Sequence, residues 1–492
     1  MKVGAAKVGP DFIDPGYHRL ATGHPSRNLD AFLCPPALLP ALAARASDGR
    51  DILVIEGVMG LFDGAYEPSR RQSSDDVGWG GGAATALAVA STAAVAAITR
   101  TPVVLVVDAS KMNQSVAALV HGYATWSPEV PVRAVILNRV GSDAHEEGLR
   151  RALEPVGIPI IGTLRRDDAF AWRDRHLGLV PVAERPAEIE AALAVLADAV
   201  ERYVDLDAVA RLAASAPTVE AVPLPQTRAL GANLARGRSK AAGASAISPG
   251  AAAGARAISS PGAAAKARRL RRPRIAVVGG RAFSFVYPDN LERLEEAGAE
   301  LVPVDPTSDS GLPCGTDGSV EIDGIYAGGG FPEVYTEELS ANRPMLEHVA
   351  AAAASGVPIW AECGGLLWLA LALDGHGLCG VVPATAVMTK QLTLGYRTAT
   401  VRRANPVAAT GARLRGHEFH YSQIDPPGDA MSLVSHRDSR LEGYASPSML
   451  ATYLHLHLGA DPGPAERFVL AASSWRQGQG QEQGNGARDA TS

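Results

Sequence analysis

In the stretch "PIWAECGGLLWLA", residues 358–370, Cys363 stands between an acid and two glycines, with an apolar run on each side. The run ahead reads as a short strand and the leucine-rich run behind as a helix, so the cysteine falls on a strand-to-helix turn. Ala361, Gly364 and Gly365 are small enough to allow the tight elbow that presents a nucleophile. A helix N-terminus and a nearby histidine are expected to lower the thiol pKa and so activate it. Acyl-transfer chemistry also requires an oxyanion site and a base. Gly364 offers one amide for the first, and Gly329 and Gly330 of the "GGGFPE" segment offer others. The downstream histidines of "GHEFHYS", 416–422, and "ATYLHLHLG", 451–459, are the candidates for the base. His417, Glu418 and His420 do not have the HExxH spacing and lack a third ligand, which argues against a metal there. His455 and His457 alternate along a strand and therefore share a face.

A second set of polar residues closes apolar strands in the N-terminal half. Glu56 ends "LVIE", Asp108 ends "VLVVD" and Asn138 ends "AVILN". Each alone reads equally well as a helix cap. Three in register on consecutive strands point instead to a ligand site, because open parallel sheets bind at their carboxyl edges.

The elements that must position these residues are α/β throughout. Continuous apolar strands alternate with longer helical segments, the pattern of a parallel sheet covered on both faces. At 492 residues the chain exceeds one ordinary core, and one compositional break divides it. Between about residues 205 and 272, "AISPGAAAGAR" at 246–256 is followed directly by "AISSPGAAAKAR" at 257–268, a near-duplicate rich in Ala, Gly, Pro and Ser. The boundaries read as an N-terminal domain at 1–205, a basic low-complexity linker at 206–272, a second domain at 273–475 and a disordered tail at 476–492. No acid occurs from Ala221 to Pro288, but no aromatic precedes Phe283 to stack on bases, so the basic segment reads as a tether.

Composition excludes several classes. A net charge of −6 gives no reason to expect nucleic acid or an anionic membrane as partner. The four cysteines form no CxxC pair and no zinc spacing, which fits a reducing cytoplasm. The most apolar stretch, Ala83 to Ile98, falls short of a membrane span of ~20 residues.

Taken together, "GGGFPE", "AECGG", "GHEFHYS" and "TYLHLH" resemble the class I glutamine amidotransferase domain of the cobyrinate and hydrogenobyrinate a,c-diamide synthases. "KVGPDFIDPGYH", "RNLD", "EGVMGLFDG" and "ILNRVGS" resemble the ATP-dependent half of the same family, with a P-loop, dethiobiotin-synthetase-like fold ahead of a flavodoxin-like amidotransferase. The resemblance implies that Cys363 attacks glutamine, with His455, by its place in "TYLH", as proton carrier. The ammonia released would amidate two corrinoid acetate carboxylates that ATP activates as acyl phosphates. It further implies Glu56 as a Mg²⁺ ligand, Asn138 as an adenine contact and Lys7 as a phosphate contact. Asp11 and Asp14 would be substrate-side or Mg²⁺-side acids near the reacting carboxylate, and Asp108 would bind ATP or substrate. The implied partners are glutamine, ATP and the corrinoid, with a homodimer allowed.

Two departures from the family pattern stand out. Position 457 is His where related glutaminases carry a glutamate that orients the base, so a Cys–His dyad is expected. No G-x-x-x-x-G-K-[ST] loop occurs, so a strand, loop and helix of roughly 30 residues are expected ahead of Val3, and the chain as written is not expected to use ATP. Two other readings compete: a cobyric acid synthase-like amidotransferase, and a non-catalytic regulatory remnant.

Overall fold

The computed structural model describes residues 1–65, 87–167, 174–175, 178–217, 221–229, 272–315 and 320–489. The duplicated segment at 246–268 lies outside these. No helix among the described residues is long and apolar enough to cross a membrane.

In the N-terminal half, β1 (Val3–Val8), β2 (Arg27–Leu29) and β3 (Ile52–Glu56) form a parallel sheet of order β2-β1-β3. A second parallel sheet has the order β4-β5-β6, from β4 (Val103–Asp108), β5 (Val132–Val140) and β6 (Ile160–Arg165). Glu56 is therefore not on a strand adjacent to Asp108 and Asn138, as the sequence pattern suggested. Its register partner is Lys7, while Asp108 pairs with Asn138. The edges β3 and β4 leave apolar residues in water, Val54 at 50% and Val106 at 58% exposure.

The helices around these sheets carry local start and stop signals. In α1 (Asp14–Thr22) a proline near its start presets the backbone and Gly23, at φ 66°, closes it in the left-handed region. Other helices are α2 (Leu39–Ala46), α3 (Thr92–Thr99), α4 (Ser115–Thr125), α5 (Asp143–Leu153) and α6 (Pro186–Tyr203). Part of the expected linker is also helical. α7 (Leu206–Ala214) is amphipathic and begins at Asp205, whose carboxylate accepts from the Ala208 amide. Residues 221–229 are anchored too, through Arg293 to the Pro225 carbonyl and Thr227 to Glu296.

The C-terminal half is built on a six-stranded sheet. Its members are β7 (Arg274–Val278), β8 (Glu300–Val304), β9 (Gly324–Ala327), β10 (Ile359–Glu362), β16 (Tyr444–Ser446) and β17 (Met449–Thr452), in the order β8-β7-β9-β10-β17-β16. All pairs are parallel except β16–β17. This is the flavodoxin-like order with an antiparallel edge strand added. Every residue of β9 and β10 is buried, as strands covered on both faces require.

Helices α8 (Pro288–Glu296), α9 (Arg343–Ala354), α10 (Gly364–Leu369) and α11 (Gly463–Asp489) accompany it. The last runs through the expected tail: Trp475 donates to the Ser355 carbonyl and Arg476 pairs with Asp323 at 3.1 Å, which holds the helix past the predicted boundary. A second sheet joins β11 (Ala370–Leu373), β12 (Val382–Val401), β13 (Arg413–Asp425), β14 (Met431–Val434), β15 (Ser439–Glu442) and β18 (His455–Leu456). The long β12–β13 ribbon reaches the N-terminal half, where the Tyr396 hydroxyl donates to Asp30 at 2.5 Å.

Candidate active site

Cys363 stands between β10 and α10 at φ 49°, ψ −102°, in the positive-φ half of backbone space that side-chain-bearing residues avoid. Surrounding bonds impose that strain: the Cys363 amide donates to the Thr452 carbonyl at 2.7 Å and the Gly365 amide to the Gly328 carbonyl at 3.0 Å. Position 364 must be glycine, since a Cβ there would lie 2.9 Å from the Gly330 nitrogen. A Cβ at Gly329 would lie 3.2 Å from His455 Nε2 and 3.4 Å from Cys363 Cβ, so nucleophile and histidine converge on this glycine.

The roles of the three glycines separate. The Gly329 amide donates to the Phe285 carbonyl at 3.0 Å and is spent as an oxyanion donor, so Gly329 serves by leaving space. The Gly364 amide is directed at the Cys363 sulfur. Gly330 has no backbone acceptor for its own amide among the described residues. The thiol's surroundings act in both directions. Burial, reinforced by the charge of Glu333, pushes the Cys363 thiol up, although the Gly364 amide works the other way.

His455 is fully buried on β18, opposite His417 on β13. Helix α8 fixes the segment that carries it: Asn290 donates to the Leu456 carbonyl and accepts from the Leu458 amide, both at 2.8 Å, and Arg293 donates to the Gly459 carbonyl at 2.6 Å. The Glu362 carboxylate lies 3.7 Å from His455 Nδ1, an atom with no hydrogen-bond partner among the described residues, and also accepts from the Leu456 amide. Sequence reasoning left Glu362 without a role. The signal was there, because an acid ending the buried run "IWAE" demands a partner.

His417 stacks on His455 with ring centres 4.9 Å apart and lies 2.8 Å from the Tyr287 hydroxyl. Burial, with His455 and His457 beside it, pulls the His417 pKa well below its ordinary value. His457 does not share the face of His455, because β18 stops at Leu456. It meets Cys34 at 3.3 Å and Asp289 at 3.8 Å on the boundary between the halves. Burial pushes the Cys34 thiol well up, with the charges of Asp30 and Asp289 acting the same way. Glu418 is consumed by Arg397 at 2.6 Å and by Arg440. Burial alone would raise its carboxyl, but His420 and the two guanidiniums hold it at about 2.

The N-terminal site gathers where β1 and β3 end. Lys7 Nζ lies 2.8 Å from Asp14 and 3.4 Å from Glu56, and donates to the Gly57 carbonyl at 2.8 Å. His18 meets the other Glu56 oxygen at 2.6 Å. Against the burial that would raise it, His18 and Lys7 hold the Glu56 carboxyl below its ordinary range. Asp11 accepts from the Ile13 and Asp14 amides, yet burial and then the Asp14 charge push it up to about 6. Asn28 secures this loop through the Gly9 and Asp11 carbonyls. Asp108 pairs with Arg139 at 2.9 Å, and Asn138 lines a hollow of about 500 Å³ with Ser110 and Arg166. His18 and Asn28 were missed from sequence although both stand in the quoted motifs.

Residues 274–463 match the CobB/CobQ-like glutamine amidotransferase domain, and residues 8–179 match the CobQ/CobB/MinD/ParA nucleotide binding domain. The chain is 45% identical to the hydrogenobyrinate a,c-diamide synthase of Streptomyces coelicolor, over 95% of this chain and 91% of the relative. The chain belongs to the a,c-diamide synthase family. Similarity extends to the hydrogenobyrinate enzyme of Thermobifida fusca, 41% identical over 96% and 91% of the two chains. It also extends to the cobyrinate a,c-diamide synthase of Dehalococcoides mccartyi, 36% identical over 95% and 91%.

The two candidate sites are joined by the loop after β1. Phe12, between Asp11 and Ile13, lies 5.0 Å from the His455 ring, 4.4 Å from Tyr287 and 5.3 Å from Phe285. Buried ion pairs clamp the halves beside it, Arg27 to Asp289 at 2.7 Å and to Glu292 at 2.8 Å.

Proposed function

We propose that the protein is a ligase that uses glutamine and ATP to amidate the a and c acetate carboxylates of hydrogenobyrinate or cobyrinate. The observation that carries this reading is the Phe12 loop: one ring separates His455 from the Asp11, Asp14 and Lys7 cluster. A diffusible intermediate made on one side has a short path to the other.

Cys363 gives its proton to His455 as its sulfur attacks the glutamine carboxamide, and the oxyanion faces the Gly330 and Gly364 amides. His455 returns that proton to the leaving nitrogen, ammonia departs, and water hydrolyses the thioester to glutamate. Glu362 balances and orients the imidazolium in between. In the other half a corrinoid carboxylate oxygen attacks the terminal phosphorus of ATP, forming an acyl phosphate as the bond to the leaving ADP breaks. Ammonia then attacks the acyl phosphate, forming the C–N bond and expelling phosphate. Lys7 meets phosphate, Asn138 and its hollow take the adenine, and Asp108 lies beside the nucleotide. Asp11 stands near the reacting carboxylate.

Glu56 and Asp14 would hold Mg²⁺, since that ion takes one or two carboxylate oxygens together with substrate phosphates and both side chains offer such oxygens at this site. When bound, Mg²⁺ neutralises phosphate charge.

The test is product analysis of the full gene product given glutamine, ATP, Mg²⁺ and hydrogenobyrinate. Two carboxylates are expected to become amides, and the a,c-diamide is expected to be inert as a substrate. Further amidation of the a,c-diamide would instead favour a cobyric acid synthase.

A further inference from the structure

A cavity of about 1970 Å³ lies between the halves, roughly twice the upper end of an ordinary small-ligand site. Val8, Asp11, Val58 and Met59 line it from the N-terminal half. The facing wall is the β12–β13 ribbon of the amidotransferase half. Register pairs Leu394 with Phe419, Tyr396 with His417, and Thr398 with Arg415, so strand alternation puts these residues on one face of the ribbon, and all line the cavity.

The wall mixes apolar and cationic side chains. Part of it is apolar and open, with Leu394 at 58% and Leu392 at 39% exposure beside Phe419. Guanidiniums stand along the same wall. Arg413 and Arg437, both exposed, have no carboxylate partner among the described residues, and Arg415 stacks on Phe32. Arg397 and Arg440 are already committed to Glu418, and Asp425, Asp438 and Glu442 are the acids on this side. From the N-terminal half, Met59 is held at φ 49° and is 76% exposed. Large apolar side chains kept in water at the mouth of a cavity, one of them on a strained backbone, mark a binding surface.

We infer that the amidotransferase ribbon binds the corrinoid, with the flat apolar macrocycle against Leu394 and Phe419 and the peripheral carboxylates on Arg413 and Arg437. This deepens the function proposed above and rests on it. Guanidinium forks match carboxylates in a bidentate way, and two guanidiniums without a carboxylate partner among the described residues, Arg437 donating only to His436 at 3.0 Å, suit a ligand with several acid arms. The amidotransferase half thus both makes ammonia and presents the acceptor to Asp11.

Equilibrium dialysis of hydrogenobyrinic acid against the full gene product tests this. The double variant Arg413→Ser with Arg437→Ser is expected to bind it at least about tenfold more weakly, and the loss is expected to shrink as salt rises. Leu394→Glu is expected to weaken binding as well, while Arg343→Ser, on α9, binds as the parent does. A fully amidated corrinoid is expected to bind the parent and the double arginine variant alike. Matching melting temperatures exclude misfolding as the cause. Binding by the double variant within twofold of the parent would overturn the inference and leave the proposed function standing. A parent that releases ammonia from glutamine but binds no hydrogenobyrinic acid would overturn both.

Discussion

The glutaminase site and the synthetase site differ in how much of each is built before substrate arrives. Around Cys363 the strands are wholly buried, the backbone is strained into place, and His455 is locked by α8. Around Lys7 the side chains pair with one another, and Glu56 remains 47% exposed. Thioester chemistry needs a dry, preset oxyanion site, whereas phosphoryl transfer to a polycarboxylate recruits ion, nucleotide and acceptor into a wet one.

The largest effect expected from this contrast is the loss of one activity alone. Cys363→Ala should abolish glutamine-dependent amidation and keep amidation driven by added ammonia, measured on the same preparation. Loss of both would show that the two sites are not separately built. The rigidity of the glutaminase half can be broken from its ion pairs. Arg397→Met removes one of the two guanidiniums that hold the buried Glu418 carboxylate, Arg440 remaining, and should cost about 1–3 kcal/mol, read by denaturant unfolding.

A smaller, sharper effect is expected at Glu362. Glu362→Gln should lower kcat for glutamine hydrolysis by roughly 10- to 100-fold with little change in KM, shift the acid limb of the pH profile, and be partly rescued by Glu362→Asp. An unmoved pH profile with a lowered melting temperature would reduce Glu362 to a structural acid. Glu442 offers a pH test of the same half. Burial, with Glu418 nearby, pushes its carboxyl up to about 7 against the hydrogen bonds from Thr452 and Tyr453. Its folded pKa is thus above its unfolded one. The stability it contributes is full below about 4.5 and lost as pH rises through 7, and Glu442→Gln should flatten that slope. The smallest effect is expected from deleting residues 246–256, whose composition buries little; the melting temperature should move by no more than about 2 °C.

Much of this was legible in the sequence for a physical reason. A strained elbow needs small residues around its cysteine, and phosphate chemistry needs charged residues at strand ends, so "AECGG" and "KVGPDFIDPGYH" announce themselves. What was not legible depends on how elements meet. Gly329 loses its amide to Phe285, a residue 44 positions earlier, and the thiol of Cys363 rises because burial outweighs the helix end. His457 leaves the face of His455 because the strand ends one residue too soon. Asp108 and Glu56 look equivalent along the chain, but they end strands of different sheets.

The central claim is that ammonia made at Cys363 reaches the corrinoid past Phe12 without entering solvent. The direct measurement supplies the full gene product with amide-¹⁵N glutamine, ATP, Mg²⁺ and hydrogenobyrinate in a pool of unlabelled ammonium, and weighs the product. Both new amides should carry ¹⁵N in the parent, and the label should be diluted in Phe12→Ala. Product amides that match the solvent ammonium in the parent would contradict the account.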